Sequence, residues 1–358
     1  MTGVVPSQAI AAMLAAGQIT SEAPVPEDQI QPASLDLRLG ATAYRVRASF
    51  LPGEDHTVAD RLPDFEMHQI DLTPGAVLEK GCVYLVPLQE ALALPPDMSA
   101  VANAKSSTGR LDLFTRLITD RGTEFDRIEP GYAGPLFAEI SPRSFSVLLR
   151  PGMRLNQVRF RVGQAMLDDA ALRALHDAEP LVDGPAHIAD GLAFSVDLRP
   201  REGDIVGYRA KPHTALIDLD RIGHYPVPEF WEPVAAQDGR IILDPGAFYI
   251  LVSREAVHVP PDYAAEMAPY IAMVGEFRVH YAGFFDPGFG NAGAGGAGSR
   301  GVLEVRCHEA PFALEHGQVV GRLVYERMSA RPEKLYGRDM GSNYQGQGLK
   351  LSKHFRAT

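Results

Sequence analysis

The chain has only two cysteines, Cys82 and Cys307, far apart and in no motif. That excludes a disulfide framework and points to a reducing, cytoplasmic compartment. It also excludes zinc deaminase chemistry, which needs a His-x-Glu segment and a Cys-x-x-Cys pair. Cys307-His308-Glu309 does not supply that spacing. Positive charge is in deficit, with 34 Lys and Arg against 45 Asp and Glu and a formal net charge of -11. So acidic a chain has no general footprint for nucleic acid, although a local arginine cluster can still hold a small anion. No apolar run approaches the roughly 20 residues that span a bilayer, so no membrane partner is expected. The N-terminal "MTGVVPSQAIAAMLAAGQIT" lacks a basic segment ahead of its short, broken apolar stretch. It reads as a helix, with Ser7 as N-cap and Ile10, Met13 and Leu14 on one face, and not as a signal peptide. "GNAGAGGAGSRG", Gly290 to Gly301, lacks the Gly-Lys-Ser/Thr ending of a P-loop. It reads as a flexible hairpin insertion.

What is present is a fold written twice. At 358 residues and 46% hydrophobic composition the chain can build about two ordinary domains. "GCVYLVPLQEALALPPD", from Gly81, aligns without gaps to "GAFYILVSREAVHVPPD", from Gly246. Upstream, "ASLDLRLG" from Ala33 echoes "FSVDLRP" from Phe194. Downstream, "IEPGYAG" from Ile128 echoes "FDPGFGN" from Phe285, and "GPLFAEI" from Gly134 echoes "GVLEVRC" from Gly301. "LLRPGMRLNQVRF" from Leu148 echoes "ALEHGQVVGRLVY" from Ala313. Repetition in one order predicts two copies. The boundary is expected near residues 165–190, where "AMLDDAALRALHDA" reads as a connecting helix; the copies are then 1–180 and 181–358. Short β-branched and aromatic runs such as "VYLVPL" and "FYILVS", punctuated by Pro-Gly, predict a mainly β chain. Two tandem β-barrel or jelly-roll domains with a few short helices are expected.

Four elements of the first copy carry polar groups that a strand framework does not need: Ser106-Ser107, Arg110, Arg127 and Glu139. Taken singly, each has an ordinary explanation. The serines suit a turn or helix cap, Arg127 a surface hairpin, and Glu139 a solvent-facing or ion-paired strand position. A carboxylate in "GPLFAEIS" would otherwise be costly to bury, and a pocket carboxylate is the functional alternative.

In combination these elements resemble the deoxycytidine triphosphate deaminase branch of the trimeric dUTPase-like superfamily. The order is Ser-Ser-x-x-Arg, an arginine before a Pro-Gly turn, a strand glutamate, then "RPGMRLNQ" ending at Gln157. "IQPASLDLRLG", from Ile30, and "NYQGQGLKLS", from Asn343, match the same branch. The resemblance implies hydrolytic deamination of dCTP to dUTP and ammonia, with no metal at the reacting carbon. Glu139 is the implied general base and proton shuttle. Ser106 and Arg110 hold the attacking water and the pocket around C4, and Arg127 is a second arginine near the reacting centre. Ser107 and Gln157 are implied substrate contacts, and Mg²⁺ arrives with the triphosphate. The implied assembly is a homo-oligomer, a trimer of chains being favoured, with dTTP as an inhibitor. The alternatives are a dUTPase, a bifunctional enzyme releasing dUMP and pyrophosphate, or a non-catalytic nucleotide-binding regulator. "EPGYAG", from Glu129, lacks the aspartate of the dUTPase "D-x-D-Y-x-G" turn and so favours the deaminase.

One departure is the first copy's "LFTRLITDRGTEFDRIEPG", which is longer than usual before the Pro-Gly turn and has no histidine. The second copy inverts the pattern. It keeps a histidine, His280, and a strand glutamate, Glu304, but has Tyr270, Ile271 and Val274 where the serines and arginine would stand. It alone carries the tail, whose Tyr344, Gln345, Gln347, Lys350 and Lys353 offer a ring, amides and positive charge between glycines. The second copy is therefore expected to lend wall and tail to a site whose core is in the first. The tail is expected to be mobile until it closes over nucleotide.

Overall fold

The structure, a computed structural model, describes residues 2–199, 204–269, 277–280, 283–337 and 344–356. It is mainly β with few helices, as the sequence predicts. Its contacts group residues 1–165 with 215–222 into one unit and residues 166–214 with 223–358 into another. The helix expected as a connector runs Asp169–Ala178 and belongs to the second unit. Asp168 caps it, accepting the Ala171 N–H at 2.8 Å.

The first unit's main strands are β1 (Leu35–Arg38), β2 (Thr42–Val46), β3 (Val83–Ala93), β4 (Met98–Ala104), β5 (Leu113–Thr119), β6 (Ala133–Pro142) and β7 (Arg154–Val162). One sheet runs Glu66–Asp71, β2, β3, β6, β5, and the other joins β1, β7 and β4. Burial alternates along β4, one face on the core and one away from it, as a period-two strand requires. On these strands Leu37, Val86, Leu136, Ile140, Val158 and Phe160 are all fully buried. Each such side chain contributes about 1.5–3 kcal/mol relative to exposure.

The second unit's strands are β8 (Leu192–Ser195), β9 (Ile205–Ala210), β10 (Phe248–Val257), β11 (Tyr263–Pro269), β12 (Phe277–His280), β13 (Ser299–Cys307) and β14 (Val319–Arg327). The order repeats: Trp231–Ala235, β9, β10, β13, β12 in one sheet and β8, β14, β11 in the other. Leu251, Leu303, Val305, Leu323 and Tyr325 form its core.

The ladders fix which residues correspond. Leu85 on β3 faces Glu139 on β6, and Ile250 on β10 faces Glu304 on β13. Both ladders break register two pairs further along, at Pro135/Phe137 and at Val252/Ala256. The Tyr84 hydroxyl accepts the Glu79 N–H at 3.0 Å, and the Tyr249 hydroxyl accepts the Asp244 N–H at 2.9 Å. These pairings keep the Gly81/Gly246 alignment as read.

They shift two other echoes. Glu139 and Glu304 share a register position, so "GPLFAEI" and "GVLEVRC" are offset by two residues from their apparent match. The "DLR" echo is displaced further. Arg38 N–H and Nε both donate to Glu90 at 2.8 Å; in the second unit Ser195 N–H and Oγ donate to Glu255 at 2.8 and 2.6 Å. Arg38 thus corresponds to Ser195, not to Arg199. The match that holds structurally is Tyr44-Arg45 with Tyr208-Arg209, which face Leu85-Tyr84 and Ile250-Tyr249 respectively.

Two helix expectations change. The first helix is Ser7–Ala15, with Pro6 rather than Ser7 at the N-cap. An unforeseen helix, Val58–Phe65, is held by a capping box: Thr57 Oγ1 accepts the Asp60 N–H, and Asp60 accepts the Thr57 N–H.

Candidate active site

Ser106–Gly109 form one helical turn between β4 and β5, where the chain leaves one sheet and enters the other. Lys105, the turn's N-cap residue, hydrogen-bonds through its N–H to Leu155 O at 2.8 Å, and its ammonium pairs with Asp36 of β1. Ser107 and Arg110 are buried, and the Arg110 N–H closes the turn on Ser106 O at 3.1 Å. Gln157 on β7 stands in register with both Asp36 and Asn103, and its Oε1 accepts from Ser34 Oγ at 3.3 Å. The "IQPASLDLRLG" segment therefore lies beside the serine turn.

Glu139 is 3% exposed, in the middle of β6. Its register partner on β5 is Arg116, whose Nη2 and Nε donate to Glu139 Oε1 at 2.5 and 3.2 Å. The same Nη2 donates to Ser49 Oγ at 2.9 Å. The Arg116 guanidinium stacks on Phe125, 3.5 Å from the ring centroid, with Phe114 at 4.8 Å. Beside the pair, the Asp126 carboxyl is pushed up to about 7, because burial disfavours its charge and Glu139 adds repulsion. The Leu117 N–H, 2.7 Å from Asp126 Oδ1, and Arg116 oppose that rise. Asp126 as a residue keeps some exposed surface; its carboxyl is what lies deep.

Arg116 and Asp126 escaped the sequence reading. No local signal marks Arg116: only the antiparallel register of β5 with β6 brings it opposite Glu139. Arg127 is brought to a different setting. Its side chain is 55% exposed, just before the Pro130-Gly131 turn, and its ion pairs are with Glu124 at 3.3 Å and Glu129 at 2.8 Å, not with Glu139.

In the second unit Glu304 is buried, and its register partner on β12 is His280. His280 thus occupies the position of Arg116. Tyr270, Ile271 and Val274 lie outside the described residues.

The described part of the tail is packed against its own unit, which differs from the mobile strand expected. Gln345 Oε1 accepts the Gly290 N–H at 3.0 Å and its Nε2 donates to Gly288 O at 3.2 Å. Gln347 Nε2 donates to Arg300 O at 2.9 Å. Tyr344 is buried, and the Lys350 ammonium sits 5.6 Å from its ring centroid. Lys353 O accepts the Gly223 N–H at 2.9 Å. Phe355 packs edge-on against Phe230 and Trp231 at 5.5 and 5.7 Å. The physical reason is apolar: Leu351 and Phe355 have a surface to bury on, and the amides pair with Gly-rich backbone that no side chain obstructs.

Comparison with known proteins points to one family. The family model described as 2'-deoxycytidine 5'-triphosphate deaminase, N-terminal domain, matches residues 1–164, and its C-terminal counterpart matches residues 168–355. A crystal structure of 2'-deoxycytidine 5'-triphosphate deaminase from Agrobacterium tumefaciens superposes with a TM-score of 0.88 at 59% identity, covering 91% of this chain and 99% of that one. A dCTP deaminase of Halorubrum lacusprofundi is 31% identical over 136 residues, 37% of this chain and 64% of that protein. A "dCTP deaminase, dUMP-forming" of Coprothermobacter proteolyticus is 31% identical over 140 residues, 39% of this chain and 72% of that protein. The chain thus spans about two thirds of the length of these curated relatives. With both domain models and a structural match over 91% of the chain in agreement, the chain belongs to the 2'-deoxycytidine 5'-triphosphate deaminase family.

Proposed function

We propose that the protein converts dCTP and water to dUTP and ammonia, with the reacting centre in the first unit and Glu139 as its base. The observation that carries this reading is a carboxylate buried in a strand of a family member, with one oxygen engaged by Arg116. Glu139 takes a proton from water as the oxygen attacks C4 and gives it to N3. A second proton passes by the same route to the departing amine, so one carboxylate serves as base and acid in turn. Ser106 and Arg110 supply fixed dipole and charge where the tetrahedral centre develops. Ser107 and Gln157 stand as substrate contacts, and Arg127, exposed on its turn and paired with Glu124 and Glu129, as the second arginine. His280 and the tail residues Tyr344, Gln345, Gln347, Lys350 and Lys353 remain proposed contacts, the tail from a docked starting position. Mg²⁺ would come with the triphosphate, held by phosphate and water oxygens rather than by a cage of this chain.

The chain's two similarly ordered units support the reading of a tandem duplication. Assembly as a homo-oligomer, a trimer of chains being favoured, inhibition by dTTP, and a cytoplasmic setting belong to the same proposal. The dUMP-forming relatives favour one second reading, in which dUTP is hydrolysed further. Incubation with dCTP and Mg²⁺, reading ammonia and nucleotide by chromatography, separates them. dUTP with equimolar ammonia fits the deaminase, dUMP with pyrophosphate fits the bifunctional enzyme, and unchanged dCTP overturns both. Glu139→Gln is expected to lower kcat on the order of 10²–10⁴-fold, and Glu304→Gln far less. Wild-type turnover in Glu139→Gln overturns the assignment, and a reversed pair of effects moves the centre to the second unit.

A further inference from the structure

We propose that Arg116 is a positioning residue for this deamination, clamping Oε1 of Glu139 so that Oε2 is the oxygen presented to substrate. The inference rests on the reading of Glu139 as base. Both Arg116 donors converge on Oε1, at 2.5 and 3.2 Å, and among the described residues no donor is seen on Oε2. A carboxylate bonded this way can no longer rotate freely about its last torsion. Catalysis by a base depends on that torsion, since a misplacement of about 1 Å costs on the order of 10²-fold.

The clamp is itself clamped. Arg116 is in register with Glu139 across the β5–β6 ladder, so its backbone cannot drift. Its Nη2 is tied to Ser49 Oγ at 2.9 Å, and its plane lies on Phe125 at 3.5 Å with Phe114 at 4.8 Å. These contacts use the planar face and the forked edge of a guanidinium. A lysine ammonium is a point charge without either. The second unit offers the contrast: opposite Glu304 the register position holds His280, so the unit without the Ser-Ser-x-x-Arg turn also lacks this arginine.

Beside the pair lies the Asp126 carboxyl, and Arg143 stands 5.6 Å from the centroid of the Phe114 ring. On the other flank, β3 presents apolar Leu85, and Tyr44 of β2 lies beyond it.

The test is kcat and KM for dCTP in wild type, Arg116→Gln, Arg116→Lys and Glu139→Gln. Arg116→Gln is expected to lower kcat about 10- to 100-fold with KM within about threefold, because the carboxylate is no longer held in one orientation while the rest of the pocket is unchanged. Arg116→Lys is expected to lower kcat about tenfold with KM again near wild type, because the fork is lost although the charge remains. Wild-type kcat in Arg116→Gln overturns the proposal. So does a KM that rises in step with the fall in kcat, which marks an arginine that only supports the fold around the pocket. If Arg116→Gln does not fold, wild-type kcat in Arg116→Lys overturns it alone. Glu139→Gln separates the two readings: if it is inactive while the Arg116 variants are normal, only the clamp falls, and if it is active, the base assignment falls first.

Discussion

Asp126 shows what one side chain can hide from a sequence. Nothing in "TEFDRIEPG" marks it, yet it sits at φ +62 with its carboxyl deep beside Glu139 and titrates near 7. Free in an unfolded chain it would titrate near 3.8. Between those values the folded protein holds a proton that the unfolded chain has released. Its contribution is therefore fully favourable below about pH 4, falls as pH rises, and is lost above about pH 7. Asp126→Asn keeps an acceptor for the Leu117 N–H, suits the left-handed backbone, and removes the charge. The difference in melting temperature, wild type minus variant, should decline from pH 4 to 7 and then level off. A flat difference would mean that the carboxyl is better solvated than its place indicates. Arg116 was equally silent. A residue type alone did not separate it from the surface arginines, and only the antiparallel register shows that it faces Glu139.

At the scale of elements, strands were legible and their registers were not. Hydrophobic alternation and Pro-Gly punctuation are local signals, so β3 and β10 could be read directly from the Gly81 and Gly246 segments. Register depends on bulges, and those at Pro135/Phe137 and Val252/Ala256 have no local signature. That is why "DLR" misled: the letters match while the Glu90 and Glu255 partners show Ser195 standing in for Arg38. The Gly-rich segment likewise read as a flexible insertion, but its glycines make room for close packing. Gly290 has φ +66, and a Cβ there would lie 2.1 Å from Val257 O. Gly295 has φ +83 with open space around it. Gly295→Ala should cost about 1–2 kcal/mol, the backbone penalty alone. Gly290→Ala adds a clash with backbone and should cost more than that, in the range of the larger single-site effects at about 4 kcal/mol. Denaturant midpoints for the two variants give the comparison, and equal losses would mean that the hairpin is slack.

For the whole molecule, the question is whether the C-terminal segment is a lid or part of the body. The tail was recognisable from "NYQGQGLKLS", but its docking was not, because the surfaces it meets are far away in sequence. Phe355 is buried against Tyr225, Phe230 and Trp231, and the Phe355 and Arg356 region exchanges backbone hydrogen bonds with the segment around Tyr225. Leu351 and Ser352 are buried as well. A segment held this way contributes to the empty protein's stability, whatever it does when nucleotide binds. Phe355→Ala removes a buried ring and should cost about 3 kcal/mol, or roughly 6–12 °C in melting temperature for a unit of this size. Deletion from Tyr344 onward should lower the melting temperature at least as far without ligand. Gln345→Ala removes only the bonds to Gly288 and Gly290, and is expected to cost about 1–2 kcal/mol. If both the deletion and Phe355→Ala melted like wild type while the KM for dCTP rose, the docking would be a resting contact without weight and the tail would be a lid alone.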